Sequence, residues 1–573
     1  MHNTSFFSIL QIAFVALTLF LQIKWAYSQD LEFDEVQVVA PYEPSISDAY
    51  KLNLNPEIKD TMTVDIVFDY NINPKQIPVK FQVQPLNAAR MKGEPLAKLY
   101  KGHVKAGLGS NSTPYAEVFY NSLRSKYHAY GAHLKHLSSA GGIDQYAHSG
   151  FIDNEMNLTG KRFFRNHTLQ ADLNYASNRV HYYGYKPADF ENDPVLSLMV
   201  DSLTKQDIRQ TFQIFSPSIS LKSNFLDEEK LQHDIGLQYY YLADKYNAAE
   251  QRLRLTGSME KSLGEDPMGF AETQKFHLDL DLNYFYNQHE LDTSNTGLVK
   301  IAPRLSSTYK DFDFYVGIDA SLQADTASYM RFYPLAGAQV SLVENVLYAY
   351  ASLSGGLDKH NLQQLRETNP FIQTSLAMPY INVKSEIRGG FKGAISSFAN
   401  YNIGISNKDI SNYPFFVTDF GEPLNNKFII LYDNVRVFNF RAEIFSNVGE
   451  KLKLRFSADY FEYTPENENW AWHEPTVKLN LSAKYNIQDK IILTADAFAR
   501  NSIYARIQNA DGTFGREQIN GFHVDGNLGI EYRYTKILSI FLNLNNVQNQ
   551  SLERWYNYPS QRFNVLGGVS YSF

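Results

Sequence analysis

The 573-residue chain contains no cysteine, which excludes disulfides, thiolate metal sites and the acylated cysteine of a lipoprotein. After residue 28 it also lacks any apolar run of even about a dozen residues, so transmembrane helices are not expected. Strong charge of one sign is missing too: the formal net charge of −8 is modest and argues against a nucleic-acid partner. No catalytic or cofactor constellation stands out. GLGSN at 107–111 has neither the lysine nor the helix of a phosphate cradle. In KYHAYGAHLKH, strand alternation puts His133 on the face opposite His128 and His136, so the three imidazoles cannot converge on a metal. No metal, no cofactor and no enzymatic activity are therefore expected.

What is present is a great deal of aromatic surface, with 39 Tyr and 39 Phe. A water-soluble globule has little use for so many tyrosines, whereas the interfacial girdles of a membrane barrel do. At the N-terminus, FFSILQIAFVALTLFLQI (6–23) is uncharged and is followed by Ala26 and Ser28 at the positions a signal peptidase prefers. Residues 1–28 thus read as a secretory signal, although MHNTS carries no lysine or arginine and an uncleaved anchor is the alternative. Residues 29–98 hold Pro41, Pro44, Pro56, Pro74, Pro78, Pro85 and Pro95 of the chain's 21 prolines, a density that disfavours membrane strands. This proline-rich segment reads as periplasmic or lumen-filling, with 62–68 and 78–83 able to pair as a small β unit.

From residue 99 to 573 the dominant signal has a period of two. In KFHLDLDLNYFYN (275–287) the apolar residues fall on one face, while His277, Asp279 and Asp281 fall on the other, the expected lumen side. The same alternation recurs at 167–175, 451–460, 477–487, 490–499 and 538–545, and the spacing of an amphipathic helix does not appear. Short turn signals at 124–126, 165–167, 310–312, 343–345, 448–450, 488–490 and 535–536 alternate with longer links at 139–154, 186–206, 360–378, 410–426 and 508–518. Short turns on one side and long loops on the other predict an all-β, transmembrane antiparallel outer-membrane barrel of about 22 strands, to within about four. Two strands, 167–185 and 491–507, are expected to project past the bilayer.

The chain ends NVLGGVSYSF, with Val569, Tyr571 and Phe573 on one face of an extended strand. That ending resembles the signal read by the outer-membrane assembly machinery, which maps onto Gly568, Tyr571 and Phe573, with Gly567 standing where the pattern has a polar residue. The final strand is expected to pair with the first, near Tyr100, and so remove both open edges. Residues 538–573, with Asn543, Asn545, Asn546, Trp555, Tyr556, Tyr558 and Pro559 before the glycine pair, resemble the end of a TonB-dependent receptor of the Bacteroidota type. The resemblance implies a receptor-like barrel. It departs from the family in leaving only residues 29–98 where a much longer plug domain stands. Within them DLEFDEVQVVAPYEP faintly resembles a TonB box, whose Val36, Val38 and Val39 would add a strand to a periplasmic partner's sheet; an exposed or lumen-lying tail is the plainer alternative.

An unplugged barrel of this size would breach the membrane, so something must fill or cap it: residues 29–98, inward-folded loops, long lumen side chains or a partner protein. Two functions fit. One is a channel or receptor for a solute; the other is a sealed, non-transporting subunit of an outer-membrane complex for secretion, surface-lipoprotein handling or outer-membrane protein assembly. Either way the expected surroundings are outer-membrane lipids, the assembly machinery and a periplasmic or outer-membrane partner protein.

Overall fold

Twenty-two strands, all antiparallel to their neighbours, form one closed sheet in a computed structural model that describes residues 99–264, 272–289, 293–325, 327–449 and 451–573. The signal-peptide reading, the proline-rich segment and Val36, Val38 and Val39 lie outside the described residues. Closure is made by the first strand, Gly102–Gly109, and the last, Asn564–Ser572, in the register Val104 to Tyr571 and Gly107 to Gly568. Phe573 and Gly102 exchange both backbone hydrogen bonds at 2.9 Å. Every wall strand thus has two hydrogen-bonded neighbours, the condition for a sheet to stand in hydrocarbon.

The period-two pattern sets the two faces. On adjacent strands Leu237, Leu253, Phe276 and Ile301 are exposed on the outside, where lipid suits them. On the inside Asp281 faces Arg254, and Asn283 faces Arg252. Tight turns join strands at the end where the chain termini of the barrel meet. In the three-residue connection 488–490 the Lys490 N–H closes a turn on the Ile487 carbonyl at 2.9 Å, the turn's two central residues, Gln488 and Asp489, are left-handed, φ 52° and 56°, and Asn486 Oδ1 accepts the Asp489 N–H at 3.0 Å.

The wall is uneven. The closing strands have 8 and 9 residues, whereas Ala399–Thr418 and Phe428–Val448 have 20 and 21. This corrects the sequence-based expectation of a link at 410–426: strand continues to Thr418 and resumes at Phe428, because the extra length packs against other loops and not against lipid. A second correction concerns 491–507. The barrel strand Ile491–Arg500 stops there, and Ile503–Gln508 pairs with Phe514–Ile519 as a separate hairpin, so the expected link at 508–518 contains half of that hairpin. The expected long strand at 167–185 runs from His167 to His181.

Candidate functional site at the long-loop mouth

The long-loop end of the barrel carries a hydrophobic core of its own. Residues 360–379 leave the wall after Lys359 and form the helix Leu362–Thr368, capped by Asn361, whose Oδ1 accepts the Gln364 N–H at 2.9 Å. A second acceptor sits at that helix start. The Glu250 carboxylate, fully buried on the strand Ala249–Ser262, takes the N–H of Leu362 at 2.7 Å and of Gln363 at 3.3 Å, and the Tyr240 hydroxyl as well. A carboxylate on unpaired helical N–H groups is favoured by both hydrogen bonding and the helix dipole. At the helix's other end the Arg366 guanidinium lies over the Phe212 ring, 5.4 Å from its centroid, and reaches Asn178 at 3.2 Å.

Beyond the helix the segment crosses to a distant part of the wall. Ile372 bridges Phe428, and Gln373 donates its N–H to the Phe428 carbonyl at 2.8 Å. Leu362, Leu365 and Ile372 pack with Phe212 and Leu242 on one side of the ring and with Phe416 and Phe428 on the other. Those two patches belong to strands nearly half-way round the sheet from each other. The segment is therefore a beam across the mouth.

Three further loops lock it. The buried Tyr182, from residues 182–208, donates its hydroxyl to the Ile372 carbonyl at 3.0 Å, and its own carbonyl accepts from Asn426 Nδ2 at 2.8 Å. Tyr558, from residues 546–563, stacks on Phe371 with centroids 3.8 Å apart, and its hydroxyl meets the Asn426 carbonyl. The ring passes so close to Gly184 that a Cβ there would lie 2.2 Å from it. His473, from residues 466–476, is buried between Trp555 and Phe428, at ring distances of 5.2 and 5.7 Å. Its Nδ1 lies 2.8 Å from the Phe416 carbonyl and its Nε2 accepts the Tyr556 N–H at 3.2 Å. An imidazole that donates at one nitrogen and accepts at the other is neutral, and burial holds its pKa down at about 4. Each large apolar side chain removed from water in such a cluster contributes about 1.5–3 kcal/mol, so these loops form a folded roof.

The residues singled out from sequence lie elsewhere. Asp281 is held by both terminal oxygens on Arg254, at 2.8 and 2.9 Å. Asp279 meets Arg304 at 3.5 Å and Ser258 at 2.8 Å, and His277 meets Ser306 at 2.8 Å and Glu260 at 3.4 Å. Together they lace the inner wall across strands. Gly568 and Tyr571 sit on the closing strand, with Tyr571 and Phe573 exposed outward. His133 bonds Glu117 at 2.9 Å and stacks on Phe119, while His136 bonds Asn154 at 2.7 Å. No group of three or more metal-ligating side chains is placed to hold an ion among the described residues. Glu250, Tyr182 and His473 escaped the sequence reading because a lone acid at a strand start and a histidine in a loop carry no periodic signal.

No protein-family model and no curated protein matches the sequence. Solved structures do match the fold. The ferripyoverdine receptor of the Pseudomonas aeruginosa outer membrane, bound to ferripyoverdine, superposes with a TM-score of 0.61 at 11% identity, over 83% of this chain and 72% of that one. The ferric-catecholate import receptor of E. coli K12 gives 0.59 at 10% identity, over 83% and 82%. The siderophore receptor of Acinetobacter baumannii gives 0.60 at 10% identity, over 82% and 80%. With its apolar exterior and closed 22-strand wall, the chain is an integral outer-membrane β-barrel that shares the barrel fold of these receptors.

Proposed function

We propose that the protein is a receptor-type transport barrel whose outer mouth is held shut by its own loops and opens to admit a solute. The observation that carries this reading is the roof: a beam, residues 360–379, tied to opposite parts of the wall and locked by three other loops. Polar side chains lining the wall beneath it give a hydrated path once the roof moves. In this reading residues 29–98 stand where a receptor of this fold has its plug, Val36, Val38 and Val39 offer a strand to a periplasmic energiser, and Gly568, Tyr571 and Phe573 guide assembly.

Single-channel conductance in planar bilayers tests the proposal. Four proteins are compared: the mature chain, one lacking residues 29–98, one carrying Glu250→Ala, and one with both changes. Silence from the mature chain and discrete openings once both the N-terminal segment and the beam's anchor are removed support transport through the lumen. Silence from every variant, including the double one, would instead favour a sealed subunit of a larger complex.

A further inference from the structure

A cavity of about 440 Å³ opens beneath the roof, between the barrel strands Val477–Ile487, Ile491–Arg500 and His523–Arg533 and the loop residues above them. Three cationic side chains line it: Lys478, Arg500 and Arg554. None of the three makes an ion pair among the described residues. Lys478 lies over the Phe461 ring at 4.9 Å, Arg500 over Phe498 at 6.0 Å and Arg554 over Trp555 at 5.5 Å. Elsewhere on the inner wall the pattern is different, with Arg254 on Asp281, Arg304 on Asp279 and Arg388 on Glu386.

The cavity's acids, Glu474, Glu553 and Asp525, hold other hydrogen-bond partners and form no ion pair within 4.0 Å with the three cations. Glu474 is engaged by the hydroxyls of Tyr413 at 3.0 Å and Tyr463 at 3.4 Å, and Glu553 by the Asn557 N–H at 3.0 Å. Burial pushes both carboxyls up, while on Glu474 the nearby Lys478 and Arg554 pull the other way. Asp525 accepts the N–H of Gly526 at 2.7 Å. Like charges gathered in a partly desolvated hollow repel more strongly than in water, and a multivalent oxyanion relieves that repulsion while accepting charge-assisted hydrogen bonds. Guanidinium groups suit the task, because each presents a planar fork to a carboxylate or phosphate.

We propose that this cavity binds a small oxyanion carrying two or more negative charges, held by Lys478, Arg500 and Arg554. The proposal assigns a solute class to the transport reading above and rests on that reading for its biological meaning. Binding is measured without flux, so either can fail alone. Calorimetry on the full mature chain in detergent, with pyrophosphate and tricarballylate as probes, separates phosphate from carboxylate preference. Saturable binding of at least one probe is expected, weakened about tenfold by each of K478Q, R500Q and R554Q. R500K and R554K, which keep the charge but not the fork, should lose less than R500Q and R554Q, and K536Q, on the turn side, should retain all of it. Each variant must keep the heat-modifiable gel mobility of a folded barrel; R554Q, in a loop, serves if a strand variant does not fold. Failure of both probes to bind saturably, or full binding by R554Q, overturns the proposal. Binding without conductance in any variant would leave the site standing and remove transport.

Discussion

At the scale of single residues, the roof turns on two buried ionisable groups with different jobs. His473 must stay neutral, because its Nε2 accepts a backbone N–H and has no room for a proton. Its folded pKa of about 4 lies below the value of about 6.5 in an unfolded chain. The stabilisation is therefore complete above pH 6.5 and is lost as pH falls from there through about 4, a change of about 3 kcal/mol. Glu474, raised by burial, acts in the opposite sense and gains relative stability as pH falls. The His473 contribution is therefore the difference between the native protein and H473Q. Tryptophan emission, with Trp555 5.2 Å from the imidazole, should change between pH 7 and 4 in the native protein and much less in H473Q; identical profiles would mean that His473 does not set the transition. Glu250 works by accepting the first N–H groups of the helix. Glu250→Ala leaves the buried Leu362 N–H, the partly buried Gln363 N–H and the Tyr240 hydroxyl without their acceptor and should weaken the beam by about 2–4 kcal/mol. Hydrogen exchange over residues 360–379 measures it, and unchanged protection there would show that the beam is held elsewhere.

Among elements, the seam and the roof show different kinds of constraint. At the seam Gly107 pairs with Gly568, and the Phe541 ring covers both from inside; a Cβ on Gly568 would lie 2.6 Å from that ring and 2.1 Å from the Ala106 carbonyl. An aromatic laid over cross-strand glycines restores the side-chain packing they lack. Gly568→Val should therefore sharply reduce the folded, heat-modifiable fraction even when the protein refolds in detergent without any assembly factor. Normal refolding there, with failure only in cells, would place the role of Gly568 in the assembly signal. The seam's partners were legible in the sequence, since Val569, Tyr571 and Phe573 alternate to the last residue. So were most wall strands, whose period-two pattern follows directly from having lipid on one side and water on the other. The roof was not legible. Its core joins Phe212, Ile372, Phe428 and Tyr558 across hundreds of residues, and no local spacing marks loops that pack on one another. The misread at 410–418 has the same origin: Phe415, Phe416 and Val417 are buried under the roof, so alternation gives way to consecutive apolar residues. At 491–507 a continuous run concealed the change of partner at Asn501, where the chain leaves the wall.

As a whole molecule, the barrel divides its labour between a wall that satisfies lipid and a mouth that satisfies itself. Removing residues 362–376 from the chain that already lacks residues 29–98 would take away the beam while leaving every wall strand paired, so the barrel should keep its gel mobility and its far-ultraviolet spectrum while admitting ions. A folded but silent barrel would show that the other loops close the mouth unaided. The uneven wall has a consequence for the surrounding bilayer. Strands of 8 or 9 residues rise about 20–23 Å once tilted by roughly 40°, slightly less than the apolar band of about 25 Å usual for such barrels. About a third of the way round the wall from the seam, strands of 20 and 21 residues rise about 50 Å. Hydrophobic mismatch is thus concentrated at one meridian, where lipids must shorten or the barrel must lean toward its seam. The protein would sit askew in a uniform membrane, with thinned bilayer beside the seam and the tall wall that supports the beam standing farthest from the surface.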